Sequence, residues 1–182
     1  MRPANTEQLY PVHADFEFQT SEVYSVPFVG TVLSGVILSG SVRPGQIKSI
    51  QRKRVNVEYA EAGQAVTLAL KRIKRVQVRK GMAMLAKKSD LPPVATRRFE
   101  AQVLILYHNT MITSRYQAMA HIGAIRQTVQ VEHIVDKQAI RTGDRATLQL
   151  RFMRAAEHIQ HLLGRANFIY AVWMTLRTFA WE

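Results

Sequence analysis

Gly30 and Gly35 have the glycine spacing of a phosphate-binding loop. Such a loop needs Lys and then Ser or Thr directly after its last glycine, to meet the β- and γ-phosphate charge and to reach magnesium. Val36 and Ile37 stand there instead, so the glycines read as bends or close contacts within strands. His158 and His161 are three apart, a spacing that sets two imidazoles on one face of a helix. Only Glu157 adjoins them, and the pair reads as surface histidines rather than a metal site. Ser34-Gly35 and Ser39-Gly40 are fragments of a nucleophile elbow that lack its Gly-x-Ser-x-Gly frame. The 13 carboxylates form no close pair in an apolar setting, so general acid–base chemistry has no partners to use. With no cysteine among its 182 residues, the chain has no disulfide, thiolate-held zinc, iron–sulfur cluster or thiol nucleophile. The expectation is a chain that is not itself an enzyme, with no catalytic residue, no metal ligand and no cofactor of its own.

Basic side chains are the residues that do carry chemistry. Lys48, Arg52, Lys53, Arg54, Lys71, Arg72, Lys74, Arg75, Arg79 and Lys80 lie between Ile47 and Lys80, opposed only by Glu58 and Glu61, a net +8. The whole chain carries +12. An excess of that size favours a polyanionic partner, either RNA and the ribosome or an anionic membrane surface. The charges fall in clusters near turn signals of one small domain. Clusters on neighbouring turns converge on a patch that neutralises phosphates and releases counterions, giving salt-sensitive, sequence-tolerant binding. The plainer reading of the same run is a solvated face. No amphipathic helix accompanies the charge, so a membrane surface ranks behind RNA. The first 18 residues set Arg2 against Glu7, Asp15 and Glu17 without an apolar run, and no leader is expected. The apolar stretch from Ala166 to Ala180 is interrupted by Asn167 and Arg177 and is shorter than the roughly 20 residues that span a bilayer. The expected location is the cytoplasm, with no membrane partner.

The elements that must position these cations read as short strands. Val26 to Ile37 is a β-branched run broken by glycines. Val55, Val57 and Tyr59 alternate with Asn56, Glu58 and Ala60, and Val66, Leu68 and Leu70 alternate with Thr67 and Ala69. Alternation at period two marks a strand with one face in a core. Pro44-Gly45, Ala62-Gly63 and Lys80-Gly81 supply turns. Pro92-Pro93, within Ser89 to Thr96, is the best linker. Beyond it, Phe99, Ala101, Val103, Ile105 and Tyr107 share one strand face, and Ala146, Leu148, Leu150 and Phe152 share another after a turn at Gly143-Asp144. The pattern predicts an all-β chain of two small antiparallel β-barrels in tandem, at 14–91 and 95–160. Met153 to Leu163 reads as helical or irregular. Five aromatics, Phe168, Tyr170, Trp173, Phe179 and Trp181, crowd the end. The stretch 161–182 is expected to be an atypical tail, helical or disordered.

Several runs carry a resemblance. Tyr24-Ser25-Val26-Pro27-Phe28-Val29-Gly30-Thr31-Val32-Leu33-Ser34-Gly35 resembles the opening of the second domain of translational GTPases of the elongation factor Tu type. Ile47-Lys48-Ser49-Ile50-Gln51-Arg52-Lys53-Arg54, Leu70-Lys71-Arg72-Ile73-Lys74-Arg75 and Arg79-Lys80-Gly81-Met82 resemble the GTP-binding protein 1 and 2 subfamily. So do Ser114-Arg115-Tyr116-Gln117-Ala118-Met119, Ile125-Arg126-Gln127-Thr128 and Arg141-Thr142-Gly143-Asp144-Arg145-Ala146. The resemblance covers roughly residues 16–157 and implies translation-factor domains II and III. It implies that the first barrel receives the aminoacyl end of tRNA and packs on a GTPase domain, and that the second touches the T-stem side. It also adds Arg115, Tyr116 and Arg126 as RNA-binding candidates. Arg115 beside Tyr116 offers a cation and an aromatic face for sugar–phosphate contact and stacking, with a solvated Arg115 and an ordinary strand-face Tyr116 as the alternative. GTP and magnesium would belong to a GTPase domain whose motifs these residues lack. Relative to the family, a strand and loop are missing after Gln46, and the final strands are replaced by the aromatic tail. An incomplete barrel of this kind exposes an open edge. The expected function is an RNA- or ribosome-binding barrel fragment of an elongation factor-like GTP-binding protein. The alternative is a truncated, mis-spliced product with only a protein-interaction role or none.

Overall fold

The computed structural model describes residues 10–45, 47–86, 94–159, 166–169 and 172–177. Among the described residues there is no α-helix, and strands joined by turns carry the chain. It separates into two compact units, Met1–Pro93 and Val94–Glu182. The Pro92-Pro93 linker expected from the sequence lies outside the described residues.

The first unit contains β1 (Glu17–Val26), β2 (Gly30–Ser39), β3 (Ser41–Val42), β4 (Ser49–Arg52), β5 (Val55–Val57), β6 (Ala60–Glu61), β7 (Ala65–Ala69) and β8 (Ala83–Leu85), with a 3-10 turn at Arg75–Gln77 before the last strand. Six of them form one antiparallel sheet in the order β5-β4-β7-β2-β1-β8, and β3 pairs with β6. The β-branched run from Val26 to Ile37 is broken by a turn at 27–29, ahead of its first glycine, where Pro27 offers no N–H to a ladder and Phe28 takes φ +62°. Phe18, Leu33, Ile37, Ile50 and Leu68 form the centre of the core. The alternation at Val66, Leu68 and Leu70 lies in that core as expected. The one at Val55, Val57 and Tyr59 does not: Val55 is 64% exposed and Tyr59 is exposed too. β5 is a three-residue edge strand paired to β4 alone, and only its last residue, Val57, packs partly against the core. Arg43 lies over the Tyr59 ring instead, 5.5 Å from its centroid.

Gly35 has a packing role. A Cβ there would lie 2.8 Å from Cζ of the fully buried Phe18 and would strike the Gln19 backbone carbonyl across the β1–β2 pairing. The glycine lets the two strands close over the ring.

The second unit contains β9 (Arg98–Ile105), β10 (Ile112–Thr113), β11 (Gln117–Ile122), β12 (Ile125–Ile134), β13 (Ala139–Ile140), β14 (Arg145–Phe152), β15 (Ala166–Ile169) and β16 (Val172–Arg177). Its main sheet runs β11-β12-β14-β9-β16-β15, and β15 lies beside β11, so the sheet curls back on itself. Phe99, Ala101, Val103 and Ile105 on β9 face Leu148, Leu150 and Phe152 of β14 in one core, with the Phe99 and Phe152 rings 4.8 Å apart. Tyr107 leaves the predicted face and is 66% exposed, because the ladder ends where Ile105 exchanges bonds with Gly143 (2.7 Å) and Asp144 (3.0 Å).

The segment 153–159 is irregular and strapped down rather than helical. Buried Gln127 accepts from the Arg154 and Ala155 N–H groups (2.7 and 2.8 Å) and donates to Glu157 (2.7 Å). The Arg97 guanidinium donates to the carbonyls of Phe152, Met153 and Arg154. The tail corrects an expectation. Residues 166–169 and 172–177 are strands, and β16 pairs with β9 from Ile105 to Glu100. It fills the edge that the missing final strands were expected to leave open. Tyr170, Phe179 and Trp181 lie outside the described residues.

Gly35→Ala is expected to destabilise the chain by about 2 kcal/mol or more, since the β1–β2 spacing cannot admit the methyl without moving backbone. Urea denaturation followed by circular dichroism measures it. An unchanged midpoint would remove the close approach as the reason for this glycine.

Candidate nucleic-acid interface

Lys48 precedes β4, and its N–H donates to the Ala69 carbonyl at 2.8 Å, fixing it beside the end of β7. Its ammonium donates to the Phe28 and Val29 carbonyls, 3.1 Å each. Leu70 donates its N–H to the Thr31 carbonyl (2.9 Å), and the Thr31 hydroxyl donates to the Ile73 carbonyl (2.6 Å). These bonds draw residues 70–73 against the same end of the hairpin. Lys71 and Arg72 lie in that stretch, both exposed, with the Lys71 ammonium donating to the Gly45 carbonyl at 2.9 Å. Lys74 and Arg75 follow at the 3-10 turn, also exposed, and Arg75 donates to the Val78 carbonyl at 3.0 Å. One group of cations is thus collected at the β1–β2 turn.

Arg52, Lys53 and Arg54 lie elsewhere. Arg52 is four residues from Lys48 along β4, about 13 Å of extended chain. Lys53 and Arg54 form the two-residue turn into β5, with φ of +49° and +67°. Arg79 and Lys80 flank the middle of β1, where Gly81 donates to the Thr20 carbonyl at 2.8 Å. Lys80 is paired with Glu22, and Arg79 is half-buried. The convergence expected of the basic clusters is therefore partial. β4 carries cations at both of its ends, and one short strand cannot bring its own ends together.

The turns share an unusual backbone. Non-glycine residues with φ in the left-handed region are Phe28, Lys53, Arg54, Arg72, Arg115 and Asp136 among the described residues. Four of the six are candidate cations. That conformation favours glycine and costs roughly 1–3 kcal/mol for other residues. For Lys53 and Arg54 the conformation is that of a two-residue hairpin turn, which needs positive φ at both central residues.

In the second unit the structure separates the candidates. Arg115 lies opposite Val131, to whose carbonyl its N–H donates at 2.7 Å. Arg126 lies opposite His121. Five residues of β12 separate the two positions, about 17 Å. Both side chains are exposed. Tyr116 is half-buried against the core, and its hydroxyl is hydrogen-bonded to His108 Nε2 at 2.9 Å, with the two rings edge-to-face at 5.3 Å. His108 is held in turn by Thr142, which accepts from its N–H (2.9 Å) and donates to its carbonyl (3.1 Å). The strand-face alternative for Tyr116 fits this placement better than a free stacking platform. Tyr116 also lines an apolar cavity of about 40 Å³ with Val103, Val131 and Leu148. A cavity of that size lies far below the few hundred Å³ of ligand pockets.

The Arg141-Thr142-Gly143-Asp144 run is a turn. The Arg141 N–H (2.8 Å) and the Lys137 ammonium (3.0 Å) both donate to the Asp144 carboxylate and hold it below the usual carboxylate range. This contribution is fully present above the unfolded-state value of about 3.9 and is lost as pH falls through the lower folded-state value. His158 Nδ1 lies 2.8 Å from the Val94 carbonyl oxygen, and among the described residues there is no cluster of three metal-ligating side chains. His161 lies outside them. Gly30 and Gly35 lie within β2, and Gly35 is backed by Phe18 and the Gln19 carbonyl, so this stretch does not fit a nucleotide.

Two tandem antiparallel β-barrels with basic turns define a translation-factor type of barrel pair. The crystal structure of sup35 complexed with GDP matches the chain with a TM-score of 0.76 over 93% of this chain and 48% of that one, at 19% identity, a likeness of fold. By sequence the chain is 41% identical over 159 residues to GTP-binding protein 1 of Xenopus laevis. It is 37% identical over 160 residues to GTP-binding protein 2 of Homo sapiens, and 24% identical over 159 residues to elongation factor 1-alpha of Aeropyrum pernix. The matches to the two GTP-binding proteins cover 79% of this chain and 24% and 26% of theirs. The chain thus spans about a quarter of the length of these curated relatives. No protein-family model matches it. The chain is homologous to GTP-binding proteins 1 and 2, and the resemblance read from its motifs holds.

The sequence reading missed Phe28. It lay in a β-branched run read for its strand character alone, and the turn at 27–29 puts it in solvent.

Tyr116→Phe removes the bond to His108 but keeps the ring. The expected loss of stability is about 1 kcal/mol, with RNA affinity unchanged. Denaturant titration and RNA titration of the same variant check the pair. A large loss of affinity at unchanged stability would restore the phenol as a binding group.

Proposed function

We propose that this chain is the RNA-binding barrel pair of an elongation factor-like GTP-binding protein, engaging tRNA or the ribosomal RNA surface from the cytoplasm. The observation that carries this is the placement of the net +8 segment. Lys48 and Lys71–Arg75 are presented around the β1–β2 turn and Arg52–Arg54 on the β4–β5 turn, all of them exposed. Exposed cations on turns reach phosphates without the desolvation cost of buried charge, and they read backbone rather than bases. Relatives named as GTP-binding proteins and elongation factors support the same reading. No helix among the described residues is long and apolar enough to cross a membrane.

RNA affinity is expected to fall steeply with salt, by about 0.7 log units per phosphate contact for each log unit of salt on single strands. The double reversal R52E/R54E is expected to weaken all RNAs about equally, on the order of tenfold at low salt, and to flatten the salt slope by roughly 1–2. Fluorescence anisotropy over a salt series measures both. Unchanged affinity would return the β4–β5 turn to a solvated face.

GTP and magnesium belong, on this reading, to a part of the relatives that these residues do not match. Isothermal titration of the chain with GTP or ATP is expected to show no saturable binding. Saturation at micromolar nucleotide would overturn the assignment.

A further inference from the structure

The sheet of the second barrel curls back until β15 lies beside β11. The sheet of the first barrel also has six strands, but it ends on β5 and β8. Among the described residues β5 pairs with β4 alone and β8 with β1 alone. The strand and loop read as missing after Gln46 have, among those residues, no substitute of the kind that β16 provides in the second barrel.

Backbone alternation decides what the two edges offer. Lys53 and Arg54 make a two-residue hairpin turn, so Arg52 and Val55 beside it exchange both their bonds, and Asn56 turns its N–H and C=O to the open side. The Gln51 amide donates to the Asn56 side chain at 3.0 Å, as the closer approach of a non-hydrogen-bonded pair allows. Along β8, Met82 accepts from the Thr20 N–H and the Ala86 N–H donates to Phe16, 2.9 Å each. Every second residue therefore bonds β1, and Ala83 and Leu85 point their backbone groups outward. The core-side faces are incompletely covered too. Val55 and Val57 share the face of buried Ile50, yet Val55 is 64% exposed and Val57 is half-buried. Met84, opposite fully buried Phe18, is also half-buried.

Outward ladder groups beside half-covered apolar side chains are what an added strand takes up. Charge selects the strand. Exposed Arg52, Lys53 and Arg54 stand at one end of β5, against Glu58 at the other. Cations at an edge repel a second copy of the same edge and attract an acidic one. RNA offers phosphates to those cations but no ladder for Asn56. We infer that the open β5 edge of the first barrel receives an extended acidic segment of a partner protein. The segment pairs with the Asn56 backbone, lays apolar side chains over Val55 and Val57, and sets carboxylates against Arg52–Arg54. This goes beyond the RNA reading and does not depend on it.

The test titrates the full chain at low salt with two fluorescein-labelled peptides of roughly eight residues, one alternating valine and glutamate and one all glutamate. Saturable anisotropy is expected with the alternating peptide and not with the other. N56P removes the outward N–H and leaves the bonded pairs on either side of it in place. It is expected to weaken the alternating peptide roughly tenfold, while N56A, which keeps the N–H, stays within about twofold. V55E, at an exposed position, is expected to weaken the same peptide at least about fivefold through lost apolar cover and like charge. It carries the test if circular dichroism shows N56P unfolded. RNA affinity of N56P is expected to stay within about twofold, because phosphate contacts use the side chains. Equal binding of the two peptides, or no binding of either, overturns the added strand. So does unchanged peptide affinity in V55E and folded N56P. A dimer in sedimentation that N56P dissolves overturns the acidic partner in favour of a second copy. Joint loss of RNA and peptide binding in folded N56P overturns it in favour of a nucleic-acid surface.

Discussion

Phe18 must be covered for the first barrel to have a core, and the strand that covers it must come closer than a side chain allows. Gly35 meets that requirement. β2 closes on β1 over the ring, β7 aligns on the free edge of β2, and β4 aligns on β7. Each step passes position along by backbone pairing, whose spacing of about 4.8 Å leaves little slack. The location of Lys48 at the β1–β2 turn follows from that chain of pairings and from its own bond to Ala69.

The cations occupy what the packing leaves over. Strand interiors give one face to the core, so Lys and Arg collect at strand ends and turns, where water or a ligand can meet their charge. Several of those turns are held in a conformation that suits glycine better. In the second barrel the same kind of turn holds Arg115, but the aromatic next to it is used internally. Tyr116 packs on the core and holds His108 through its hydroxyl. The two barrels therefore resemble each other in architecture while differing in what they offer a ligand. In the first, an aromatic at a strained turn faces solvent; in the second, the aromatic beside the strained arginine is drawn inward.

Much of the fold was legible in the alternations. Val66, Leu68 and Leu70, and Phe99 through Ile105, lie in cores because a period of two assigns alternate residues to one face. The same rule misplaced Val55, Tyr59 and Tyr107. Periodicity tells which residues share a face, and only the sheet order tells whether that face has a neighbour. β5 is an edge strand, and β9 stops pairing at Ile105, so their outlying residues face water. The tail misled for a related reason. Its composition resembled nothing upstream, yet backbone pairing with β9 depends on N–H and C=O groups that almost any sequence carries.

By itself the sequence determined the sign and size of the charge, the absence of thiol chemistry, the lack of a phosphate-loop lysine after Gly35, and the strand character of most of the chain. These depend on residue type and on near neighbours. Tertiary structure alone decided that Lys48, Lys71 and Arg72 gather at one turn while Arg52–Arg54 stand apart, that Phe28 is in solvent, and that Tyr116 is not. Those outcomes depend on which strands pair and in what register. Register is settled by contacts between residues distant in the chain, such as Gly35 with Phe18, whose meeting no local pattern records.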